Sequence, residues 1–191
     1  VLELRAVTLR IIGCFGKPPA LDRLAEAEGG RSAPLLSIRV ASDELLLLTD
    51  GQRLAGLETE LHALDNGSLV LDVTSGYGAW ALRGDGRAEA FCRLSAIKLP
   101  NPPSVVQGLV AHVPAKVVVS PDTLLILVPS ILSHHLRERV LAACADLQPV
   151  EHESRVESDM SHVGSQSAAR AVRETTSGAH NATRENQDSS Q

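Results

Sequence analysis

One order of signals occurs twice between residues 1 and 150, and it constrains the fold more than any other feature of the chain. Val7-Thr8-Leu9-Arg10-Ile11-Ile12 is short and β-branched, which predicts a strand. Pro18-Pro19 opens a helix with Leu21, Leu24 and Ala25 on one face, and Gly29-Gly30 ends it. Leu36, Ile38 and Val40 alternate with polar residues, and Ser42-Asp43 turns the chain into Leu45-Leu46-Leu47-Leu48. A helix from Asp50 carries Leu54, Leu57, Leu61 and Leu64 at helical spacing and closes at Asn66-Gly67. Leu69, Leu71 and Val73 then alternate through a strand that faces them inward.

The second unit follows the same order. A strand runs from Tyr77 to Arg83. Asp85 caps a helix that turns Ala88, Phe91 and Cys92 inward. A Pro-rich loop, Pro100 to Pro103, leads to a strand from Leu109 to Val119, in which Pro114 implies an edge position or a bulge. Leu124 to Val128 is a further strand, and Ser130 caps a helix with Leu132, Leu136, Val140 and Ala143 inward. The sixth element is missing or very short, around Val150. Strand–helix–strand–strand–helix–strand, twice over, predicts an α+β fold of two tandem ferredoxin-like (βαββαβ) modules, at about 4–74 and 77–150. Modules this small bury little surface alone, so they are expected to pack as one body, domain 1–150.

Composition changes after Pro149. From 151 to 191 there is no Leu, Ile, Phe, Tyr or Trp, while eleven Ser or Thr and eleven charged side chains fill the 41 residues. Such a segment cannot offset its ordering entropy by apolar burial, which predicts a disordered polar tail.

The same composition excludes several functions. Net charge is −5 and only 2% of the residues are aromatic, so neither nucleic acid nor an anionic membrane surface is an expected partner. No apolar run reaches the length of a spanning helix, and charges at Glu3, Arg5 and Arg10 interrupt any signal-like segment at the start. Cys14, Cys92 and Cys144 are widely spaced, which argues against a disulfide framework and for a reduced, cytoplasmic setting.

Candidate chemistry is sparse. Asp72 lies on a strand among apolar neighbours; buried there, it would have a raised pKa and could act as an acid or base, whereas facing solvent it is a capping residue. His134 and Glu138 share a helix face at metal-ligand spacing, without a third ligand. His112 lies in the Pro-containing strand. Gly76-Tyr77-Gly78 starts a glycine pattern that Ala81 breaks, so it reads as a tight hairpin turn. Arg83-Gly84-Asp85 reads as a strand end and a helix cap. Cys92 is expected to be buried. Trp80 is either core or the anchor of a partner chain, and Phe91 is core. No residue is assigned as catalytic, cofactor-binding or metal-ligating.

From Ser42 to Cys144 the sequence resembles the gamma subunit family of heterotetrameric sarcosine oxidase, a relative of the glycine-cleavage T-protein (aminomethyltransferase). The resemblance is carried by Ser42-Asp43-Glu44-Leu45-Leu46-Leu47, by Val70-Leu71-Asp72-Val73-Thr74, and by Leu82-Arg83-Gly84 opening a helix. Ser95-Ala96-Ile97-Lys98-Leu99 ends that helix, and the strand from Leu124 runs through Ser130 into a helix reaching Ala143. The hairpin lacks the family's Pro and Trp, and Lys98 stands where the family has Asp. The resemblance implies a non-catalytic gamma-type subunit that helps assemble an enzyme for oxidative demethylation of sarcosine. It implies no cofactor on this chain: FAD, FMN, NAD and tetrahydrofolate would belong to the partner subunits. Two other readings are a stand-alone folate-binding T-protein-like module, with Asp72 as its pocket acid, and a generic ferredoxin-like interaction protein.

Overall fold

In the computed structural model of the chain, residues 1–26, 36–49, 59, 61–63 and 67–152 are described. Among them, ten strands form two sheets. The four-stranded sheet contains β2 (Arg10–Phe15), β3 (Leu36–Ala41), β4 (Glu44–Thr49) and β5 (Leu69–Asp72), in the order β3-β4-β2-β5, all antiparallel. The six-stranded sheet contains β1 (Glu3–Ala6), β6 (Tyr77–Arg83), β7 (Ser104–Val110), β8 (Val113–Val119), β9 (Thr123–Pro129) and β10 (Val150–His152), in the order β10-β1-β6-β9-β8-β7. Among the described residues they are accompanied by the helices α1 (Pro18–Glu26), α2 (Arg87–Leu94) and α3 (Ser133–Ala143), and residues 59 and 61–63 are also helical. None of the described helices is long and apolar enough to cross a membrane.

Alternation within the strands sorts the apolar side chains into three cores. Leu45 and Leu47 of β4 point with Ile12 and Cys14 toward Leu21 and Leu24 of α1 and toward Leu61. Leu46 and Leu48 point the other way, and with Ile11 and Ile38 they meet Val118, Leu125 and Leu127 of the six-stranded sheet. On that sheet's far face Trp80, Leu82, Val117, Leu124 and Ile126 pack against Phe91, Leu94, Leu136 and Val140 of α2 and α3. The layers are therefore helix, sheet, sheet, helix. Strands covered on both faces need apolar residues at successive positions, which accounts for the unbroken leucines of β4 and the Leu-Leu-Ile-Leu-Val run of β9.

Several expectations are corrected. The four residues of β1, assigned to the first module by its boundary near residue 4, belong to the other sheet: β1 is antiparallel to β6 and parallel to β10. The strand expected over Leu109 to Val119 is a hairpin of β7 and β8. Ala111 (φ 52°) and His112 (φ 66°) form its two-residue turn with both residues left-handed, a geometry usually signalled by Asn-Gly. Pro114 is in an interior strand, but the β8–β9 ladder begins at Lys116, so its missing N–H leaves no ladder bond unmade. On β5 the buried side chain is Val70, while Leu69 and Leu71 are 55% and 44% exposed, because this edge strand turns its other face to the helix-side core. Helix α2 buries Ala90, Phe91 and Leu94, leaving Ala88 and Cys92 exposed. Neither Asp85 nor Ser130 caps a helix; α2 starts after Gly86 and α3 follows a 3-10 turn, Ser130–Leu132.

The last described strand runs past residue 150. Glu151 and His152 belong to β10, and Glu151 is paired with Arg137 of α3 (Nη2 to Oε2, 2.6 Å). The rest of the expected tail, most of the helix expected from Asp50, and the Gly29-Gly30 helix end lie outside the described residues.

Candidate functional site

Asp72 ends β5 where the chain leaves one sheet for the other. Its Oδ1 accepts the main-chain N–H of Thr74 at 2.9 Å, and Thr74 Oγ1 in turn accepts the N–H of Ile11 at 2.9 Å. Arg10 Nη1 lies 3.3 Å from Oδ2. Hydrogen bonds from Thr74, side chain first and then main chain, hold the Asp72 carboxyl below its ordinary value; burial opposes them, and the charge of Arg10 adds a smaller downward effect. A general acid needs the opposite shift. Asp72 is thus a capping residue, pinning the 3-10 turn Thr74–Gly76 that joins the sheets.

Asp146, hydrogen-bonded by Arg93, and Glu151, hydrogen-bonded by Arg137, are lowered in the same direction. A carboxylate with a depressed folded pKa contributes stability that is present above its unfolded value and is lost as pH falls through the folded one. The denaturation midpoint should therefore hold from pH 7 to 5 and decline below about pH 4. Asp72→Asn should flatten part of that decline; an unchanged acid limb would show that the cap contributes nothing.

The remaining sequence candidates do not converge. His134 and Glu138 sit 3.9 Å apart on the surface of α3, 80% and 56% exposed, and no group of three or more metal-ligating side chains occurs among the described residues. His112 is an exposed turn residue. Cys14 and Cys144 are buried, with burial raising the Cys144 thiol above its ordinary value. Gly76 ends the inter-sheet turn and Gly78 lies within β6, where a Cβ would collide with Ser133 of α3; the segment is not a hairpin. Gly84 (φ 90°) takes a left-handed conformation against the carbonyl of Val1, a position only glycine fits. Trp80 is 8% exposed, and its indole N–H donates to Ser133 Oγ at 2.9 Å, which places it in the core.

What the sequence did not reveal is a groove. From Leu127 and Tyr77 at the margin of the core between the sheets, the inner face of the six-stranded sheet continues over Leu109, Pro114, Lys116 and Pro129, lining an open depression of about 490 Å³. Lys116 Nζ stands 5.0 Å from the centre of the Tyr77 ring, within cation–π range. Lys116 has no carboxylate partner among the described residues. Gln107 Nε2 closes one end by donating to the carbonyls of Arg39 (3.2 Å) and Val40 (3.0 Å) at the end of β3. Leu109 stays 57% exposed. An apolar wall with one cation can hold an apolar group bearing a negative charge. The lining residues come from four separate stretches, so no local pattern announces them.

Two back-to-back sheets between helices, with an open groove on an inner face, define a class of α+β fold and not a reaction. Solved structures that share that fold include two with different chemistry. The chain superposes on heterotetrameric sarcosine oxidase from Corynebacterium sp. U-96 with a TM-score of 0.67 at 17% identity, over 79% of this chain and 87% of that one. It superposes on the glycine cleavage system aminomethyltransferase T from Bartonella henselae with a TM-score of 0.57 at 17% identity, over 78% of this chain and 47% of that one. It thus spans about half the length of the aminomethyltransferase. At these identities the similarity is one of fold. No protein-family model and no curated protein matches the chain.

Proposed function

We propose that this chain is a non-catalytic, gamma-type subunit of a heterotetrameric sarcosine oxidase, acting in assembly in the cytoplasm. The supporting observation is the extent of the fold match: 87% of one chain of such an oxidase, against 47% of the aminomethyltransferase. The two sheets are read as tandem ferredoxin-like modules, the second interrupted by β1 and extended by β7. FAD, FMN, NAD and tetrahydrofolate are assigned to the partner subunits and none to this chain. The folate-binding alternative has less support, because its one acid, Asp72, is already engaged by Thr74 and Arg10.

The test is recovery of the tagged full chain from its source cells. The eluate should carry flavin absorbance and release peroxide when sarcosine is added, and the chain produced alone should do neither. A flavin-free eluate would defeat the assembly role. Turnover by the isolated chain would defeat the non-catalytic role, and tetrahydrofolate binding to it would favour the folate-binding module.

A further inference from the structure

Among the described residues β7 is the last strand of the six-stranded sheet, and no strand pairs with its outer edge. The two-residue turn makes Val110 and Val113 a mutually hydrogen-bonded pair, so positions 104, 106, 108 and 110 bond inward to β8. Val105, Gln107 and Leu109 then direct N–H and C=O outward. The Leu109 carbonyl is capped by the Ser95 hydroxyl at 2.7 Å. The main-chain groups of Val105 and Gln107 have no hydrogen-bond partner among the described residues. Edge strands are commonly guarded by Lys, Pro or a bulge. Ser-Val-Val-Gln-Gly-Leu-Val contains neither residue, and its ladder with β8 runs without a register shift.

We infer that this edge and the adjoining groove together form a docking site for an extended segment of a partner subunit. The segment adds to β7 as a seventh strand and carries a carboxylate for Lys116. A strand at the usual spacing of ~4.8 Å puts alternate side chains over the uncovered face beside Leu109, where an apolar residue fits. The carboxylate follows from Lys116, the one charged side chain of the groove, which lacks a counter-ion among the described residues. A second copy of the chain does not supply it: β7 contains no acidic residue, so pairing of two β7 edges brings no negative charge to either groove. The source of the segment rests on the assembly role proposed above.

The experiment is amide hydrogen exchange on the full chain, alone and in the flavoprotein complex recovered from source cells. The amides of Val105 and Gln107 should exchange at least about tenfold more slowly in the complex. Lys116→Glu should reduce recovered flavin at least about tenfold while Lys116→Arg retains it, and Val105→Pro, which blocks the edge, should act like Lys116→Glu. A complex that forms while both amides exchange as in the free chain overturns the docking site and leaves the assembly role standing. Protection already present in the isolated chain also overturns it, since a segment of the same chain then covers the edge. If the unmodified chain recovers no flavoprotein, the assembly role fails and the docking site fails with it.

Discussion

Trp80→Ala should destabilise the protein by ~3–5 kcal/mol. The side chain is buried between the six-stranded sheet and the helices, beside Leu82, Phe91 and Leu136. Its removal leaves a void that strands hydrogen-bonded on both sides cannot close. The indole N–H bond to Ser133 is lost as well, freeing the start of α3 from β6. Against a typical domain stability of ~5–15 kcal/mol this is a large fraction, and the melting temperature should fall by about 10 °C or more. Ser133→Ala isolates the hydrogen bond and should cost only about 1 kcal/mol. A Trp80→Ala variant that melts within a degree or two of the unmodified chain would show that the ring is not core.

Removing residues 1–6 should have a larger effect still. β1 lies between β10 and β6, with its register set from Glu3↔Arg83 to Ala6↔Trp80 on one side and at Glu3↔Val150 on the other. Leu2 and Leu4 are fully buried, each contributing ~1.5–3 kcal/mol of burial. Without β1, β10 loses its only strand partner among the described residues and β6 becomes an edge with unpaired main-chain groups. The expected result is loss of the cooperative thermal transition and of most soluble yield. Removal of residues 153–191 is the matching control and should leave the transition where it was. A chain lacking β1 that still melts cooperatively near the original temperature would mean that the first six residues are dispensable to the sheet.

What the sequence made legible follows from how local each signal is. The β3–β4 hairpin was readable because Ser42-Asp43 separates two apolar strands at turn spacing. Helix α1 was readable from Pro18 and the inward pair Leu21 and Leu24. The β7–β8 hairpin was not, because Ala111-His112 carries none of the residues that normally mark a left-handed turn. β1 was not, because four residues are too few for a period and pairing partners are never local. The inward face of α2 was misplaced by about one residue, which exchanged Cys92 for Leu94. Asp72 was found, but whether its pKa rises or falls depends on Thr74 and Arg10 brought to it by the fold. The groove was invisible for the same reason: its residues meet only when two sheets of unequal width are laid face to face.

The placement of β1 also governs the order in which the molecule can form. It is synthesised before every other strand of its sheet, yet its antiparallel partner begins at Tyr77 and its parallel partner at Val150. The strands of the other sheet all lie between Arg10 and Asp72 and can pair while the ribosome is still making the rest. Throughout that interval Leu2 and Leu4 have no partners and stay exposed to any unpaired strand nearby. Pairings of such long sequence separation are slow to close, so the six-stranded sheet is completed last, and only by a chain that has been synthesised past Val150.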